Sequence, residues 1–386
     1  MFEDIKPYDD LQASSALKRV ASNPAIDSIS DFLYPGSSHD NLRSLLSSVT
    51  GVDDFQEKVM YGAIGSIVKK TTSGLTFGGL EHFRNGDGSF NNYLLLSNHR
   101  DIVLDPAFIQ YILKDNHLPS TEIAVGDNLI SSQFVEDLMR SNRMIKVKRS
   151  GSARELYYSS VELSEYIRMK IAGGTSVWIA HRNGRTKDGC DATSQGILKM
   201  FSMSGPDDFS ANFKDLKIMP VSISYEIEPC GIEKALETYL HTVTGSYKKA
   251  EGEDLRSILT GIIQQKGHVH IQFCNPLTDS EIDEAASYGK NDNMRHLCEI
   301  IDSRIIQGYR IWPNNIVAAG KAVQEGLSEA SVNSFNALIG ENIGKIDMLT
   351  NVNNYQISDI QSVSDIRNIF VNIYSSPYNR KCGNNE

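Results

Sequence analysis

The sequence predicts an α/β fold in which a mainly parallel central sheet is flanked by helices. Two observations favour this class. From Leu75 onward, short runs of apolar and β-branched residues alternate with longer amphipathic segments, a pattern typical of parallel strands joined by helices. The alternation is absent before this point and stops near Trp312. We therefore divide the chain into an N-terminal helical region (1–74), an α/β domain (75–320) and a C-terminal helical extension (321–386).

The individual elements follow from this alternation, taken in chain order. In the N-terminal region, Val59, Ile64 and Ile67 recur at helical spacing, and 71–74 ends that helix. Strands are predicted at Leu75–Phe77, Tyr93–Ser97, Glu122–Val125, Met144–Val147, Ser176–Ala180, Ile218–Ser224 and His268–Phe273. Helices are predicted at Pro106–Lys114, Ser131–Arg140, Ala153–Ile171, Thr193–Met203, Asn293–Tyr309, Lys321–Leu338 and Ile357–Ile373. Segments 206–216 and 226–266 are assigned as connections, and the polar tail 377–386 is expected to fray.

The charge balance and the cysteines exclude several classes of protein. The chain has 38 Lys and Arg against 48 Asp and Glu, a net charge of −10, whereas nucleic-acid binding needs a basic face. The five cysteines lie far apart without CxxC spacing, so neither a zinc site nor a disulfide framework is indicated. No apolar run approaches the roughly 18 residues that span a bilayer, and the first ten residues do not resemble a signal peptide. We expect a cytoplasmic protein, and contact with the inner face of the cytoplasmic membrane stays open.

The segment from Ser97 to Pro106 carries the sharpest chemical signal. A predicted strand delivers His99 to its C-terminal end, where open α/β sheets bind their ligands, and Asp105 follows within about two helical turns. A histidine with a positioned carboxylate is a general base, because the carboxylate fixes the tautomer and stabilises the imidazolium. Taken alone, the pattern is more often a loop histidine that caps the next helix.

Three further segments add cations and a distinctive strand. Ile145–Arg149 ends a strand with three cationic side chains, and Trp178–Gly189 runs from a strand into a basic turn that contains glycine. Leu216–Ile223 is a strand with an internal proline, Pro220, which favours an edge position or a bulge. Together these segments place a general base and clustered cations at the strand ends of one sheet. This arrangement favours a small substrate that carries a phosphate.

In order and spacing, the four blocks resemble the glycerolipid acyltransferases, a superfamily that includes glycerol-3-phosphate and 1-acylglycerol-3-phosphate acyltransferases. The first block resembles the Asn-His-x(4)-Asp motif of that superfamily, and the second, Ile145–Arg149, its apolar-x-x-Arg motif. The third, Arg182–Thr186, resembles its Pro-Glu-Gly-Thr-Arg-Ser turn, and the fourth, Ile218–Val221, its apolar-Pro-Val strand. The blocks fall within residues 93–224, in a region of similarity that extends from 75 to 315.

The sequence departs from the family pattern at two positions. Five residues, not four, separate His99 from Asp105, so either the turn holds one extra residue or Asp101 orients the histidine. Leu-Asp-Pro at 104–106 reads like the family's Leu-Asp-Pro, which favours Asp105. Asn183 replaces the family's glutamate in the third block; it keeps an oxygen acceptor and loses the charge.

The resemblance implies an enzyme of lipid biosynthesis and phospholipid metabolism. It implies an O-acyltransferase that moves a fatty acyl group from acyl-CoA or acyl carrier protein to the hydroxyl of a lysophosphatidate-like acceptor, with no metal and no cofactor. His99 would be the general base and Asp105 its orienting partner. Arg149 and Arg185 would bind the acceptor's anionic group, because the arginine fork suits phosphate and carboxylate. Lys148 is a weaker candidate for the same role, and Asn183 and Gly184 complete the expected substrate site.

Two alternatives stay open at the level of sequence. The acceptor can be a lyso-aminolipid, whose carboxylate takes the place of the phosphate, since the basic residues do not separate the two anions. The protein can also be a non-catalytic module that binds a lipid or an acyl carrier protein, an alternative motivated by Asn183 and the altered His–Asp spacing.

Three further features have simpler explanations. His181, beside the basic turn, is more often a structural residue than a substrate contact. His268 and His270 share one face of a strand but lack an obvious third zinc ligand. The apolar face of 130–139, followed by basic residues, is more often turned to the core than to a membrane.

Overall fold

Seven strands form one sheet at the centre of the protein. The computed structural model describes residues 2–353, 355, 360 and 362–383. Its strands are β1 (Gly74–Gly78), β2 (Leu94–Ser97), β3 (Glu122–Gly126), β4 (Met144–Val147), β5 (Val177–Ala180), β6 (Ile218–Tyr225) and β7 (His268–Phe273). Their order across the sheet is β1-β7-β6-β2-β5-β3-β4. Only β6 and β7 pair antiparallel among these strands, so the predicted mainly parallel sheet is confirmed.

Helices precede, separate and follow these strands. The N-terminal region holds α1 (Asp10–Ser22), α2 (Ala25–Leu33), α3 (His39–Ser47), α4 (Val52–Phe55) and α5 (Tyr61–Thr71), with a π-helical turn joining the last two. The α/β region holds α6 (Leu104–Asp115), α7 (Gln133–Ser141), α8 (Ala153–Ala172), α9 (Gln195–Ser202), α10 (Phe209–Lys214), α11 (Gly231–Thr244), α12 (Glu253–Ile263), α13 (Asp279–Ser287), α14 (Asn293–Gly308) and α15 (Pro313–Ala318). The C-terminal part holds α16 (Glu329–Ile343), α17 (Ile346–Val352) and α18 (Val363–Cys382).

The middle of the sheet is buried on both faces. In β2, Leu94 and Leu96 pack into the core formed with α8, α9 and α14, whereas Leu95 packs into the core formed with α5 and α6. Because successive side chains of a strand point to opposite faces, a strand that is covered on both sides is apolar throughout. This is why the central strands β2, β5 and β6 stand out in the sequence, and all seven strands are located to within one residue at each end.

Several predicted helices and connections need correction. The segments assigned as connections contain α10, α11 and α12. The helix predicted from Lys321 begins only at Glu329, where the Ser328 side chain accepts a hydrogen bond from the N–H of Ser331 and caps it. The last helix begins at Val363 and extends through the expected frayed tail as far as Cys382. Part of the predicted helix, 357–359 and 361, lies outside the described residues.

The internal proline does not mark an edge strand. Strand β6 lies inside the sheet, between β7 and β2. The carbonyl of Pro220 accepts a hydrogen bond from the Cys274 N–H at 3.0 Å, one position beyond the ladder that ends at Val221 and Phe273. In antiparallel pairing the N–H and C=O of one residue face the same neighbour. The N–H that proline lacks is therefore missing only where the pairing with β7 has ended.

Helix α7 packs against the N-terminal helices. Phe134 and Leu138 pack against the apolar cluster of the N-terminal helices. Arg140 donates to the carbonyl of Glu3 at 2.7 Å, and Lys146 pairs with Glu136 at 2.9 Å. These contacts favour the core-facing interpretation of this segment. In the described part of the chain, no helix combines the length and apolarity needed to cross a bilayer.

The C-terminal helices pack on the α/β region through an apolar cluster of their own. Phe335 of α16 and Phe370 and Tyr374 of α18 join Leu236 and Tyr239 of α11 in this cluster. The two α11 residues lie more than 90 positions before the other three in the chain. The C-terminal extension is thus in direct contact with the segment that follows β6.

Candidate active site

The histidine of the first block forms a hydrogen-bonded pair with a carboxylate. His99 follows β2, and its Nδ1 lies 2.9 Å from Oδ2 of Asp105 in the first turn of α6. Asp105 is fully buried, and 13% of the His99 side chain is exposed. Because an ionised carboxylate only accepts hydrogen bonds, Nδ1 is the protonated nitrogen and Nε2 carries the lone pair. Within the described residues, Nε2 has no hydrogen-bond partner.

Asp105 accepts three further hydrogen bonds that hold it in place. The backbone N–H groups of Arg100 and Asp101 donate to Oδ2 at 2.6 and 3.0 Å. The hydroxyl of Tyr225, at the end of β6, donates to Oδ1 at 2.8 Å. Burial and the neighbouring Asp105 raise the pKa of Tyr225 well above its ordinary value, so the hydroxyl keeps its proton and donates.

Asp101 has a different task from the one that the altered spacing left open. Its Oδ1 accepts the N–H groups of Val103 and Leu104 at 2.9 and 2.8 Å, and so caps the start of α6. Its Oδ2 is buried without a hydrogen-bond partner in the described part of the chain. Burial and the neighbouring Asp105 raise the pKa of Asp101. The carboxylate that touches the histidine is therefore that of Asp105.

The residue after the histidine lies in a buried ionic network. Arg100 donates to Oδ2 of Asp191 at 2.6 Å, and Asn98 and Tyr309 donate to the same oxygen at 2.9 and 2.8 Å. The hydroxyl of Thr186 donates to Oδ1 at 2.5 Å. Burial opposes ionisation of Asp191, but the Arg100 guanidinium outweighs it and lowers the pKa of the carboxyl below its ordinary range.

A second ion pair extends this network toward the C-terminal helices. Lys234 of α11 donates to Oε1 of Glu228 at 2.6 Å and to the carbonyl of Arg100 at 2.7 Å. The N–H of Glu228 donates to the hydroxyl of Tyr374 at 3.0 Å. Buried charges need such partners, because an uncompensated charge in the interior is strongly destabilising. The network therefore ties the loop of His99 to α11 and α18.

The basic turn after β5 lies directly beside the histidine. The N–H of Thr186 donates to the carbonyl of His99 at 2.8 Å. Asn183 and Gly184 form the exposed tip of the turn, and Gly184 has a φ of +76°. The side chain of Arg185 turns inward, and its Nη1 is buried with no hydrogen-bond partner among the described residues. Of the predicted anion-binding residues, Arg185 is the one next to the pair.

The end of the same turn fits closely against α18. Gly189 has a φ of +79°, and a Cβ atom there would lie 2.6 Å from the carbonyl oxygen of Ile373. Arg380 of α18 donates to the backbone carbonyl of Asp191. Only glycine allows this approach, because it combines positive φ with the absence of a side chain. The C-terminal helix therefore supports the turn from behind.

The second block lies farther from the histidine than the third. Lys148 and Arg149 follow β4, an edge strand three positions from β2, or about 14 Å at ordinary strand spacing. Arg149 is exposed and its N–H donates to Asp127 at 3.0 Å. Lys148 lies 3.6 Å from Glu155 in a surface pair. A substrate would have to extend across the sheet edge to contact His99 and either of these cations.

Comparison with known proteins identifies the domain that holds these residues. The model of the Acyltransferase family matches residues 74–224. This stretch is an acyltransferase-family domain. It contains β1 to β5 and nearly all of β6, together with all four sequence blocks and both members of the His99–Asp105 pair.

The relatives of this acyltransferase domain are longer proteins. The glycerol-3-phosphate acyltransferase of Xanthomonas axonopodis pv. citri is 28% identical over 183 residues, which is 46% of this chain and 19% of that protein. The dihydroxyacetone phosphate acyltransferase of Bos taurus is 23% identical over 186 residues, or 48% and 26% of the two lengths. The chain thus matches at most about a quarter of these relatives.

One solved structure is similar in outline. It is the crystal structure of the 1-acyl-sn-glycerophosphate acyltransferase from Thermotoga maritima, which is 13% identical to this chain. The alignment covers 77% of this chain and 95% of that one, with a TM-score of 0.37.

A second histidine lies at the neighbouring strand end of the acyltransferase domain. His181 follows β5 and is completely buried, with Nδ1 3.3 Å from the hydroxyl of Thr193 and 3.9 Å from Asp302. Burial lowers the pKa of His181 to about 4, and the nearby Arg182 acts in the same direction. His181 is therefore neutral at pH 7 and is enclosed by protein.

Sequence reasoning missed Asp191, Glu228 and Lys234. Asp191 lies 91 residues from Arg100, and Glu228 lies 128 residues from it, so no local spacing connects these residues. Tyr225 was also missed, although a signal existed. It is the polar-tipped last residue of an apolar strand, at the edge of the sheet where parallel strands present their ligands.

Proposed function

We propose that the protein is an O-acyltransferase of glycerolipid synthesis. It moves a fatty acyl group from a thioester donor, acyl-CoA or acyl carrier protein, to the hydroxyl of a lysophosphatidate-like acceptor. The observation that carries the proposal is the 2.9 Å hydrogen bond between His99 and Asp105 inside a domain that matches the acyltransferase family. The names of the relatives, which act on glycerol phosphate or dihydroxyacetone phosphate, support the same acceptor class.

The reaction needs one base that later acts as an acid. Nε2 of His99 takes the proton of the acceptor hydroxyl as the oxygen attacks the thioester carbonyl. Asp105 holds the ring and stabilises the imidazolium that forms. When the tetrahedral intermediate collapses, the C–S bond breaks, and the imidazolium returns the proton to the leaving thiolate. An ester and a free thiol result, and general-base catalysis of this kind contributes about 10²–10⁴-fold in rate.

The acceptor's anionic group needs cations near the histidine. We assign Arg185 as the first contact, since its turn lies against His99 and its buried Nη1 has no partner among the described residues. Arg149, with Lys148 as a weaker contributor, would bind an anion at the far end of the strand edge. Asn183 and Gly184 form the tip of the turn over which the acceptor would lie.

A second candidate acceptor is glycerol 3-phosphate or dihydroxyacetone phosphate. The printed names of the sequence relatives favour it. Each of these two molecules carries the same phosphate but no acyl chain, and the general base would act on either acceptor in the same way.

Purified protein tests the proposal directly. Radiolabelled oleoyl-CoA and oleoyl acyl carrier protein are offered in turn with lysophosphatidate, glycerol 3-phosphate, dihydroxyacetone phosphate and a lyso-aminolipid. We expect transfer to lysophosphatidate at least tenfold above a His99→Ala blank, in line with the contribution of a general base. Transfer only to the lyso-aminolipid would replace the acceptor. Lipid binding without transfer to any hydroxyl would make the protein a binding module.

We also propose that the protein works at the inner face of the cytoplasmic membrane, where such an acceptor is found. Sedimentation with anionic vesicles at low and high salt tests this location. We expect co-sedimentation at low salt that weakens at high salt, because surface electrostatics is screened. Equal recovery in the supernatant at both salt concentrations would contradict it.

A further inference from the structure

A cavity lies between the acyltransferase domain and the C-terminal helices. Its volume is about 600 Å³, within the range of ligand pockets. The walls come from α11, α12, the end of α16 and α17, all of which lie outside the segment that matches the family. Arg185 is the lining residue that comes from inside that segment. The cavity therefore connects the basic turn to parts of the chain that the family resemblance does not cover.

The mouth of the cavity is apolar and open to solvent. Leu259 and Ile263 of α12 are 52% and 55% exposed, and Met348 and Val352 of α17 are 56% and 49% exposed. Each pair is spaced by four residues, so both helices turn one apolar stripe toward the opening. Leucine and isoleucine side chains, among them Leu236, continue the apolar lining inward. Apolar side chains gathered at an opening indicate an apolar ligand rather than an ordinary surface.

Several cations that line or adjoin the cavity are neutralised by ion pairs within the protein, and Arg256 donates to Oδ1 of Asn353 at 2.6 Å. Lys234 pairs with Glu228 at 2.6 Å and Lys345 with Glu341 at 2.9 Å. Lys187, beside the cavity, pairs with the lining residue Glu237. These lysines are therefore already engaged by carboxylates of the chain.

Arg185 differs from them. It makes no ion pair in the described part of the chain, and its buried Nη1 has no hydrogen-bond partner there. Its neighbours on the buried side are Cys230 and Asp101. An arginine fork in this position suits a phosphate or a carboxylate.

We infer that this cavity binds the fatty acyl chain of an anionic single-chain lipid, with the chain between α12 and α17 and the anionic group at Arg185. The inference rests on the proposed function where it connects the bound fatty acyl chain with the site of acyl transfer at His99. The link is short, because Thr186, the next residue after Arg185, donates its N–H to the carbonyl of His99. The C-terminal extension then has a task of its own, which is to form one wall of the lipid site.

Binding without turnover tests the inference. The full-length His99→Ala protein is titrated with 11-(dansylamino)undecanoic acid, whose fluorescence rises in an apolar site. Oleate, oleoyl-lysophosphatidate and oleoyl-CoA are then used as competitors and identify which lipid supplies the chain. We expect saturable binding that these lipids displace and that glycerol 3-phosphate does not. Absence of saturable binding, or displacement by glycerol 3-phosphate alone, would overturn the inference.

Substitutions at the mouth of the cavity test where the fatty acyl chain binds. Leu259→Glu and Met348→Glu place a carboxylate beside the chain and are expected to weaken binding about tenfold or more. Leu255→Glu is the control, since Leu255 is 60% exposed on the same helix and does not line the cavity. Unchanged binding in the two mouth variants, or equal loss in the control, would contradict the assignment.

Arg185→Gln separates the anionic end from the chain. We expect it to weaken oleate about tenfold, as loss of a charge-assisted hydrogen bond does, and to leave uncharged monooleoylglycerol unaffected. Equal affinity for both lipids in this variant would remove Arg185 from the site. If the mouth variants bind normally while the wild type transfers acyl groups, the cavity inference fails and the proposed function stands. If instead the mouth variants lose lipid binding while the wild type transfers no acyl group, the proposed function fails and the cavity inference stands.

Discussion

His99 and His181 lie at the ends of adjacent parallel strands, yet their surroundings differ in every respect that matters for proton transfer. His99 has a carboxylate at 2.9 Å and a partly exposed ring. His181 has a hydroxyl at 3.3 Å, a carboxylate only at 3.9 Å, and no exposed surface. Position at a strand end is therefore not sufficient to make a histidine a base. A hydrogen-bonded carboxylate and access to a ligand are also needed.

The largest expected effect is on catalysis. His99→Ala removes the proposed general base, so we predict that kcat for acyl transfer falls about 10²–10⁴-fold. Stability should change little, because part of the ring faces solvent. Steady-state transfer assays and urea unfolding measure the two quantities. His181→Gln is expected to lower kcat less than tenfold, and the exposed His241 provides a neutral control as His241→Ala. Comparable kcat values for the His99→Ala variant and the wild-type protein would show that His99 is not the general base.

The second effect is on stability and comes from the network beside His181. Asp191→Asn leaves the buried Arg100 guanidinium without its closest carboxylate. Breaking one partner of a buried ion pair costs about 3–5 kcal/mol in the free energy of unfolding. Chemical denaturation of the variant measures this loss. Asp207→Asn, at an exposed position, should be neutral. Near-equal stability of both variants would show that the network contributes little.

The third effect is a pH dependence that only one of the two histidines produces. The pKa of His181 is lowered from 6.5 to about 4 in the folded protein, so the unfolded chain binds more protons between these values. The stabilising contribution of neutral His181 is complete above about pH 6.5 and is lost as the pH falls toward 4, by roughly 3 kcal/mol.

Urea unfolding between pH 7 and pH 4 measures this slope. His181→Gln should flatten it, whereas His241→Gln, at an exposed position, should retain the wild-type curve. An unchanged slope in the His181 variant would assign the acid sensitivity to other groups.

The smallest expected effect concerns the hydrogen bond from Tyr225 to Asp105, the partner of His99. Tyr225→Phe removes one hydrogen bond from buried Asp105 and should cost about 1.5 kcal/mol of stability. The kcat should fall by less than about tenfold, since two backbone N–H groups still hold the other carboxylate oxygen. Tyr158→Phe, at an exposed tyrosine, is the control. A loss as large as that of His99→Ala would make Tyr225 part of the chemistry.

The contrast between the histidines also explains what could be predicted from sequence. His99 and its carboxylate lie within seven consecutive residues, so strand-end logic and a short motif locate them, whereas the cap by Asp101 is visible only in the structure. The central strands β2, β5 and β6 were located because runs covered on both faces are apolar throughout. The environment of His181 is assembled from Thr193, Asp302 and the network, which come together only in the fold.

Long-range packing also explains why the sequence analysis missed helices α11 and α12 and why it predicted an edge strand or a bulge at Pro220. Helices α11 and α12 follow the N-cap residues Cys230 and Gly252, neither of which caps its helix with a side chain, so the sequence lacks the usual start signal. Pro220 suggested an edge strand, although it only lies past the end of one ladder. The formation of these helices and the position of this strand in the sheet depend on the elements that pack against them. Those elements are distant in sequence, so a short stretch of sequence does not predict them.

The contact between Gly189 and α18 has a consequence for the order in which the protein is assembled during translation. The turn that carries Arg185 is synthesised well before its support at Ile373 and Arg380, since Asp191 and Arg380 lie 189 positions apart in the chain. Because domains generally form from the N-terminal side as the chain emerges, the sheet can be complete while the turn still lacks its backing. A nascent chain would therefore hold the histidine pair before α18 docks behind the basic turn and completes the proposed substrate site.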